Sequence, residues 1–378
     1  MLKETEFIKN YIKKGTKQTK HSLNFEDDVA VVNNFAYSTD TISEDIHFFS
    51  DDDPKTIAKK LIRVNISDLI SKGVKPKFCL LNFSSGKSIN QRWLDSFFRS
   101  FHQDLKNYNL NLIGGDTIST KNKTVLSLTI FGPVKSKRII KRSSAKLSDL
   151  IYVSGTIGDA FIGMSIKKKQ IKFDKRAKEK LILKYLVPQP QTNLINLIRN
   201  KANASTDISD GLLNDLNNIC TMSKLGAEIQ FSSIPKSNEV IKFLNSYKRY
   251  EKSILIGGDD YQILFTAKSS KSRIIKKISN SLGIKISKIG KICSHLDDVN
   301  RDLNNYDLEF RILIDNEIDH NLLYSSESVQ PSSPLLESQY LWVIAGISLV
   351  ALGIIIETKR RTRAKSILQQ FAADNKWN

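Results

Sequence analysis

Ile57, Leu61, Val64 and Leu69 recur at near-helical spacing, and Gly73 and Pro76 stand where the run should stop. The pattern predicts a helix over residues 57–72 with Asn65 and Asp68 on a shared face. Leu126, Leu128 and Ile130 alternate with Ser127 and Thr129, the period of a strand with one buried face, here expected to follow a turn at Gly114-Gly115-Asp116. Residues 150–154 read as a buried strand, 155–158 as a tight turn and Asp159 as the start of a helix. That order can present backbone N–H groups to a phosphate. A helix is expected from Gly211 onward, with Leu212, Leu216 and Ile219 on one stripe, and a short strand over 261–266 behind a Gly257-Gly258 turn. Helices and strands alternating with glycine turns predict an α/β or α+β layered architecture in both halves. The lysine-rich stretch 134–146 is the expected boundary, separating domains at 1–140 and 146–320.

Residues 321–338 are rich in Ser, Pro and Glu and read as a linker. Residues 340–356 follow without a single charge, and Lys359, Arg360, Arg361, Arg363 and Lys365 come directly after. At about 1.5 Å per residue this run approaches the ~30 Å of a bilayer core, so 339–357 is expected to be a single membrane-spanning helix and 358–378 a basic tail. The basic cluster by itself predicts a cytoplasmic C-terminus. Residues 1–20 lack the continuous apolar region of a secretion signal. A long N-terminal part does not translocate without such a signal, so it is expected in the cytoplasm, tethered to the inner membrane, against the orientation that the basic cluster alone predicts.

Composition changes this picture little. The chain of 378 residues is long enough for two cores. Its net charge of +19 invites a nucleic-acid reading, but the excess lysine is scattered and no aromatic-interleaved basic stripe accompanies it. Nucleic acid is not an expected partner. Cys79, Cys220 and Cys293 are isolated from one another, which leaves no disulfide framework or C-x-x-C motif, and the five histidines show no H-E-x-x-H spacing.

The candidate chemistry lies in six short blocks: 25–28 (Phe-Glu-Asp-Asp), 38–41 (Ser-Thr-Asp-Thr), 65–68 (Asn-Ile-Ser-Asp), 114–117 (Gly-Gly-Asp-Thr), 207–211 (Asp-Ile-Ser-Asp-Gly) and 257–261 (Gly-Gly-Asp-Asp-Tyr). Each has a plain structural explanation. Asp207, Ser209 and Asp210 stand where helix N-caps stand, Asp116 and Asp259 follow Gly-Gly pairs as turn residues do, and Asp27, Asp28, Asp40 and Asp68 can be solvated or lysine-paired. His47 is by itself an ordinary surface histidine. Six such blocks in one order argue for a shared cause. Converging carboxylates call for hard cations, and hard cations with carboxylate ligands suggest phosphoryl transfer.

In this order the blocks, together with His47-Phe48, the 155–159 segment and Pro188-Gln189-Pro190, resemble the motifs of bacterial thiamine-monophosphate kinase over about residues 1–320. The resemblance implies a two-domain fold like that of aminoimidazole-ribonucleotide synthetase, a homodimer formed through the N-terminal sheet, and ATP-dependent phosphorylation of thiamine monophosphate with several Mg²⁺ ions. It also implies residue roles. Asp27, Asp28, Asp40, Asp68, Asp116, Asp207 and Asp210 would be metal ligands, with Asp116 and Asp210 catalytic. Thr39, Thr41, Gly115, Asp116, Arg142 and Ser209 would meet ATP, and His47 and Asp260 the thiamine phosphate. The chain departs from the family pattern at Leu23-Asn24-Phe25-Glu26, where Gly-Ile-Gly is usual before the Asp pair, at Asp259 and Gln262 in place of Glu, and at Gln191 in place of Arg. The alternatives are another ATP-dependent enzyme of that superfamily, which the absence of an early or C-terminal Cys disfavours, and a membrane-tethered ATP-binding scaffold.

Overall fold

The structure is a computed structural model that describes residues 4–17, 20–135, 138–168, 171–294, 310–314 and 317–318. After a short helix α1 (Glu4–Phe7), five strands build the N-terminal part: β1 (Ala30–Val32), β2 (Phe35–Ser43), β3 (Phe78–Ser85), β4 (Asn111–Ser119) and β5 (Val125–Pro133). Their order is β1-β2-β5-β3-β4, with β3 and β4 parallel and the other pairs antiparallel. The predicted alternation holds in β5, where Leu126, Leu128 and Ile130 are fully buried. The opposite face carries hydroxyl pairs, Thr39 with Thr129 and Thr41 with Ser127, at 2.8 Å each.

Helices α2 (Pro54–Ser71) and α3 (Gln91–Tyr108) follow β2 and β3. Asp53 caps α2 by accepting from the Lys55 N–H, and Pro54 sits in the first turn, where no intrahelical donor is lost. From Leu61 to Ser71 every residue of α2 is buried. A helix enclosed all round needs cover on both sides. The sheet strands β2 and β5 supply one side, and strand β7 (Ser205–Asp207) and helix α6 (Ile195–Lys201) of the C-terminal part supply the other.

One expectation fails here: Gly114, Gly115 and Asp116 lie inside β4, not in a turn. Gly115 runs so close to β3 that a Cβ would stand 1.8 Å from the Leu81 carbonyl oxygen. Its missing side chain serves strand-to-strand approach beside the register shift at Cys79–Leu81.

The C-terminal part runs β6 (Leu150–Ser154), α4 (Asp159–Lys167), α5 (Lys175–Leu186), α6 (Ile195–Lys201), β7 (Ser205–Asp207), α7 (Leu212–Ser223) and β8 (Gly226–Gln230). It continues with α8 (Asn238–Ser246), α9 (Ser253–Ile256), β9 (Ile263–Ala267), α10 (Ser272–Leu282), β10 (Ile286–Cys293), β11 (Phe310–Ile314) and β12 (Glu317–Ile318). The strands order as β12-β11-β8-β10-β6-β9-β7. The strand expected from Tyr261 begins at Ile263, because Asp259 and Tyr261 hold left-handed backbone (φ +62° and +47°) and prolong the turn.

The linker at 321–338, the apolar run at 339–357 and the basic tail at 358–378 lie outside the described residues. Among the described residues no helix is long and apolar enough to cross a membrane.

Candidate active site

A cleft of about 1420 Å³ opens between the two parts, walled by β2, the first acidic loop, and the loops at Ser209-Asp210 and Gly257-Gly258-Asp259. Asp28 and Asp68 line this cleft, and the buried Asp207, which is not among its lining residues, joins them so that one carboxylate oxygen of each lies within 4.8 Å of the others. Three elements converge to do this. Asp68 projects from the buried helix α2, Asp207 ends β7, and Asp28 follows a turn in which Leu23, Asn24 and Phe25 all take positive φ (+46°, +61° and +57°). Three successive left-handed residues without a glycine among them carry a steric cost for each side chain.

The three carboxylates are not equivalent. Burial works to raise the Asp28 pKa, but the charges of Arg142 and Lys72 outweigh it and leave the group more acidic than usual. Asp68 accepts from the Ser38 hydroxyl at 2.6 Å, yet burial, then Asp40, Asp207 and Asp28, push its pKa well above the carboxylate range. Burial, followed by the charge of Asp28, pushes Asp207 up to about 7. Among the described residues, neither buried Asp207 oxygen has a partner in good hydrogen-bond geometry; the Ser67 hydroxyl approaches only loosely and also has none. Orphaned buried carboxylate oxygens facing two further carboxylates are the donor set a hard divalent cation takes. The residues present therefore fit Mg²⁺, and protons held by Asp68 and Asp207 would be released on its binding.

A buried lysine and a partly buried arginine border the cluster. Lys72, fully buried at the C-cap of α2, donates to Asp27 at 2.7 Å, Asp28 at 2.6 Å and the Ser205 carbonyl at 2.7 Å. Burial opposes its charge, but Asp27 and Asp28 more than compensate and raise its pKa. Arg142 pairs with Asp28 through its guanidinium, reaches Thr206 Oγ1 with Nε at 3.1 Å, and donates its backbone N–H to Asp27. Asp40 is placed by its N–H, which donates to Asn65 Oδ1 at 2.9 Å, while Asn65 anchors on the Leu61 carbonyl.

Asp207, Ser209 and Asp210 do not cap α7; Gly211 holds that position, without a side-chain cap. The capping runs backwards. The buried Asp215 carboxylate accepts the N–H groups of Ser209 and Asp210 at 3.1 Å each, which holds this loop in the cleft wall and leaves Asp210 exposed to the cleft. The Gly257-Gly258 loop is stitched alongside. Asp259 N–H donates to Ser209 O and Tyr261 N–H to Ile208 O, both at 2.8 Å, and a Cβ on Gly258 would meet Ser209 O at 2.3 Å.

His47 Nδ1 accepts from the Ser43 N–H at 3.1 Å, which leaves its Nε2 to carry the proton. Burial and then Lys60 lower its pKa, so the ring is neutral at pH 7. Lys60, 2% exposed, donates to the His47 carbonyl at 2.9 Å, stands 3.6 Å from Asp259 and lies 3.7 Å over the Tyr185 ring. His47 thus gathers with Asp259, whose place after Gly257-Gly258 in the sequence is that of a turn residue. Asp260 turns the other way, accepting from Gly158 N–H at 2.8 Å and Ala160 N–H at 3.3 Å, and burial pushes its pKa up to about 8. The donors at 155–160 that were expected to meet a phosphate meet this carboxylate. Asp260 is not among the residues of the main cleft.

Thr39 and Thr41 line the cleft, whereas Gly115 and Asp116 do not. Asp116 pairs across with Asn82, Asn82 with Ser127 and Ser127 with Thr41. Three strand spacings of about 4.8 Å put it roughly 14 Å from Thr41. It lies on an edge strand exposed along its whole length, with Leu112, Ile113 and Ile118 also open to solvent.

Comparison with known proteins adds the following. Residues 26–134 match the model of the AIR synthase related protein N-terminal domain, and residues 148–297 match that of the C-terminal domain. A thiamine-monophosphate kinase of Buchnera aphidicola subsp. Schizaphis graminum is 39% identical over 300 residues, covering 77% of this chain and 90% of that protein. The thiamine-monophosphate kinase of Escherichia coli K12 is 33% identical over 281 residues, covering 73% of this chain and 85% of its own. Among solved structures, AaThiL complexed with AMPPCP and TMP superposes with a TM-score of 0.70 at 26% identity, covering 85% of this chain and 97% of that one.

Proposed function

The chain belongs to the thiamine-monophosphate kinase family, and on that premise we propose that it transfers the γ-phosphoryl group of ATP to thiamine monophosphate. The bond between the γ-phosphorus and the β–γ bridging oxygen breaks, a phosphate oxygen of thiamine monophosphate takes its place, and thiamine diphosphate and ADP leave. The observation that carries this reading is the Asp28–Asp68–Asp207 cluster, of which Asp28 and Asp68 line the interdomain cleft and Asp207 carries the unpartnered oxygens. The acceptor is a phosphate monoester whose second pKa is about 6, so it is already anionic at neutral pH and needs no general base. Neutral His47 offers its Nε2–H for donation to the acceptor phosphate.

Bringing two polyanions together is the main barrier, and Mg²⁺ held by Asp68 and Asp207 with Asp28 and Asp40 beside them would supply the neutralising charge. Asp27 stands behind Asp28, and Asp210 with Ser209 borders the nucleotide wall formed with Thr39 and Thr41. Lys60 and Asp259 flank the acceptor side with His47. For Gly115 and Asp116 we assign a role in the nucleotide site of a second chain. Their distance from Thr41 and the exposed apolar edge of β4 support a homodimer through the N-terminal sheet. The apolar run at 340–356 with its basic flank supports tethering of a cytoplasmic catalytic part to the inner membrane, which fractionation of cells expressing the chain with and without residues 327–378 would test.

The experiment is to incubate the full chain with Mg²⁺, ATP and thiamine monophosphate and follow thiamine diphosphate and ADP chromatographically. Equal formation of both products is the expected result. ATP binding without conversion would overturn the kinase reading in favour of a nucleotide-binding scaffold.

A further inference from the structure

The ammonium of Lys72 is surrounded like a metal ion. Its three acceptors are two carboxylate oxygens, from Asp27 and Asp28, and one backbone carbonyl, from Ser205, at 2.6–2.7 Å. Those are the hard oxygen ligands, only slightly farther out, that hold Ca²⁺ or Mg²⁺. All three ammonium protons are used, and the side chain has no exposed surface. The arrangement joins the first acidic loop, the end of α2 and β7, so it spans the same seam as the carboxylate cluster. Asp28 is the shared edge of the two. It meets Lys72 and Arg142 on one side and faces Asp68 and Asp207 on the other.

The halves of this acidic centre therefore differ. The Asp27–Asp28 half already holds positive charge and satisfied oxygens, whereas the Asp68–Asp207 half holds the orphaned ones. We propose that Lys72 is a built-in counter-cation that fills a divalent-cation position between Asp27, Asp28 and the Ser205 carbonyl, confining exchangeable metal to the side of Asp68 and Asp207. Lys72 is then a positioning residue. It fixes Asp28 at the metal's edge and makes assembly of the seam less dependent on divalent cations. This inference rests on the metal reading of the cluster given above.

The test compares the full wild-type chain with Lys72→Met, which keeps length and apolar volume but removes the charge. Mn²⁺ is titrated without nucleotide, free Mn²⁺ is read by electron paramagnetic resonance, and melting is measured in EDTA and in millimolar Mn²⁺. Lys72→Met should bind one more Mn²⁺ per chain than wild type. Its melting temperature should fall in EDTA and return toward wild type with Mn²⁺, a rescue that a merely structural lysine would not show. An unchanged Mn²⁺ count, or a fall in melting temperature that metal does not restore, overturns the proposal while leaving the cluster's metal reading intact. No Mn²⁺ on either protein overturns both. Should Lys72→Met fail to fold, anomalous scattering from wild-type crystals grown with Mn²⁺ decides: no manganese within 2.5 Å of Asp27 is expected, and manganese bridging Asp27 and Asp28 would overturn the inference.

Discussion

Asp207→Asn should make the metal-free protein more stable while destroying its activity. The Asp207 side chain is 1% exposed, and burial with the nearby charge of Asp28 pushes its pKa from 3.8 to about 7. A shift of about three units at about 1.4 kcal/mol each sets an upper limit of about 4 kcal/mol on what its ionisation costs the fold. Asp28 and Asp68 share that cost, so about 2 kcal/mol is a fair expectation for Asp207 alone. The sign follows from linkage. The native state keeps this proton to higher pH than the unfolded chain does, so native stability falls as pH rises from about 4 to about 7 and the penalty is complete above that. An amide carries no such charge and can donate to the surrounding carboxylates. Urea denaturation in EDTA should therefore show Asp207→Asn ahead by about 2 kcal/mol at pH 8, with the gap closing toward pH 4. Turnover should fall by a hundredfold or more with the loss of a charged metal ligand. A variant that is less stable than wild type at pH 8, or that keeps near-normal turnover, would refute the assignment of Asp207 to a cation site.

Asp260→Asn tests a buried carboxylate that serves the fold instead. Its pKa of about 8 predicts that wild-type stability declines between about pH 4 and pH 8, and the variant, still able to accept from Gly158 or Ala160, should show a flatter urea-midpoint profile over pH 5–8.5. Gly258→Ala should cost about 2 kcal/mol or more by calorimetry and impair turnover, because its φ is +64° and the added methyl would stand 2.3 Å from Ser209 O. Lys60→Met should raise KM for thiamine monophosphate at least tenfold with a smaller change in kcat, since it removes the buried positive charge beside His47 and Asp259; an unchanged KM in steady-state assays would remove Lys60 from the acceptor side.

The fold was most legible where period and burial coincide. The helix expected over 57–72 is α2 (Pro54–Ser71), extended by one turn because Asp53 and Pro54 form a start signal upstream of its first apolar residue. The strand at 150–154 and the helix after Gly211 match β6 and α7. Gly114-Gly115 misled because glycine has two uses that look alike in sequence. A turn needs its backbone freedom, whereas β4 needs its missing side chain against Leu81.

The site was legible only as a set of blocks, since which of two neighbouring acids faces a cleft is decided by tertiary contacts that leave no trace in spacing. Asp259 and Asp260 illustrate it. Both follow Gly257-Gly258, but the left-handed backbone at Asp259 sends one carboxylate toward Lys60 and the other onto the Gly158 and Ala160 N–H groups. Asp215 was overlooked for a related reason: an acid in the first turn of an amphipathic helix looks like a solvated dipole partner, and only its burial reveals that it braces the loop carrying Ser209 and Asp210. Lys72 was the least visible of all, one lysine among many in a basic chain and distant in sequence from the acids it pairs with. Its charge acquires meaning from enclosure. A lysine on the surface adds modest, salt-screened attraction, whereas the same group sealed between Asp27, Asp28 and the Ser205 carbonyl sets the charge of the centre that has to receive two polyanions.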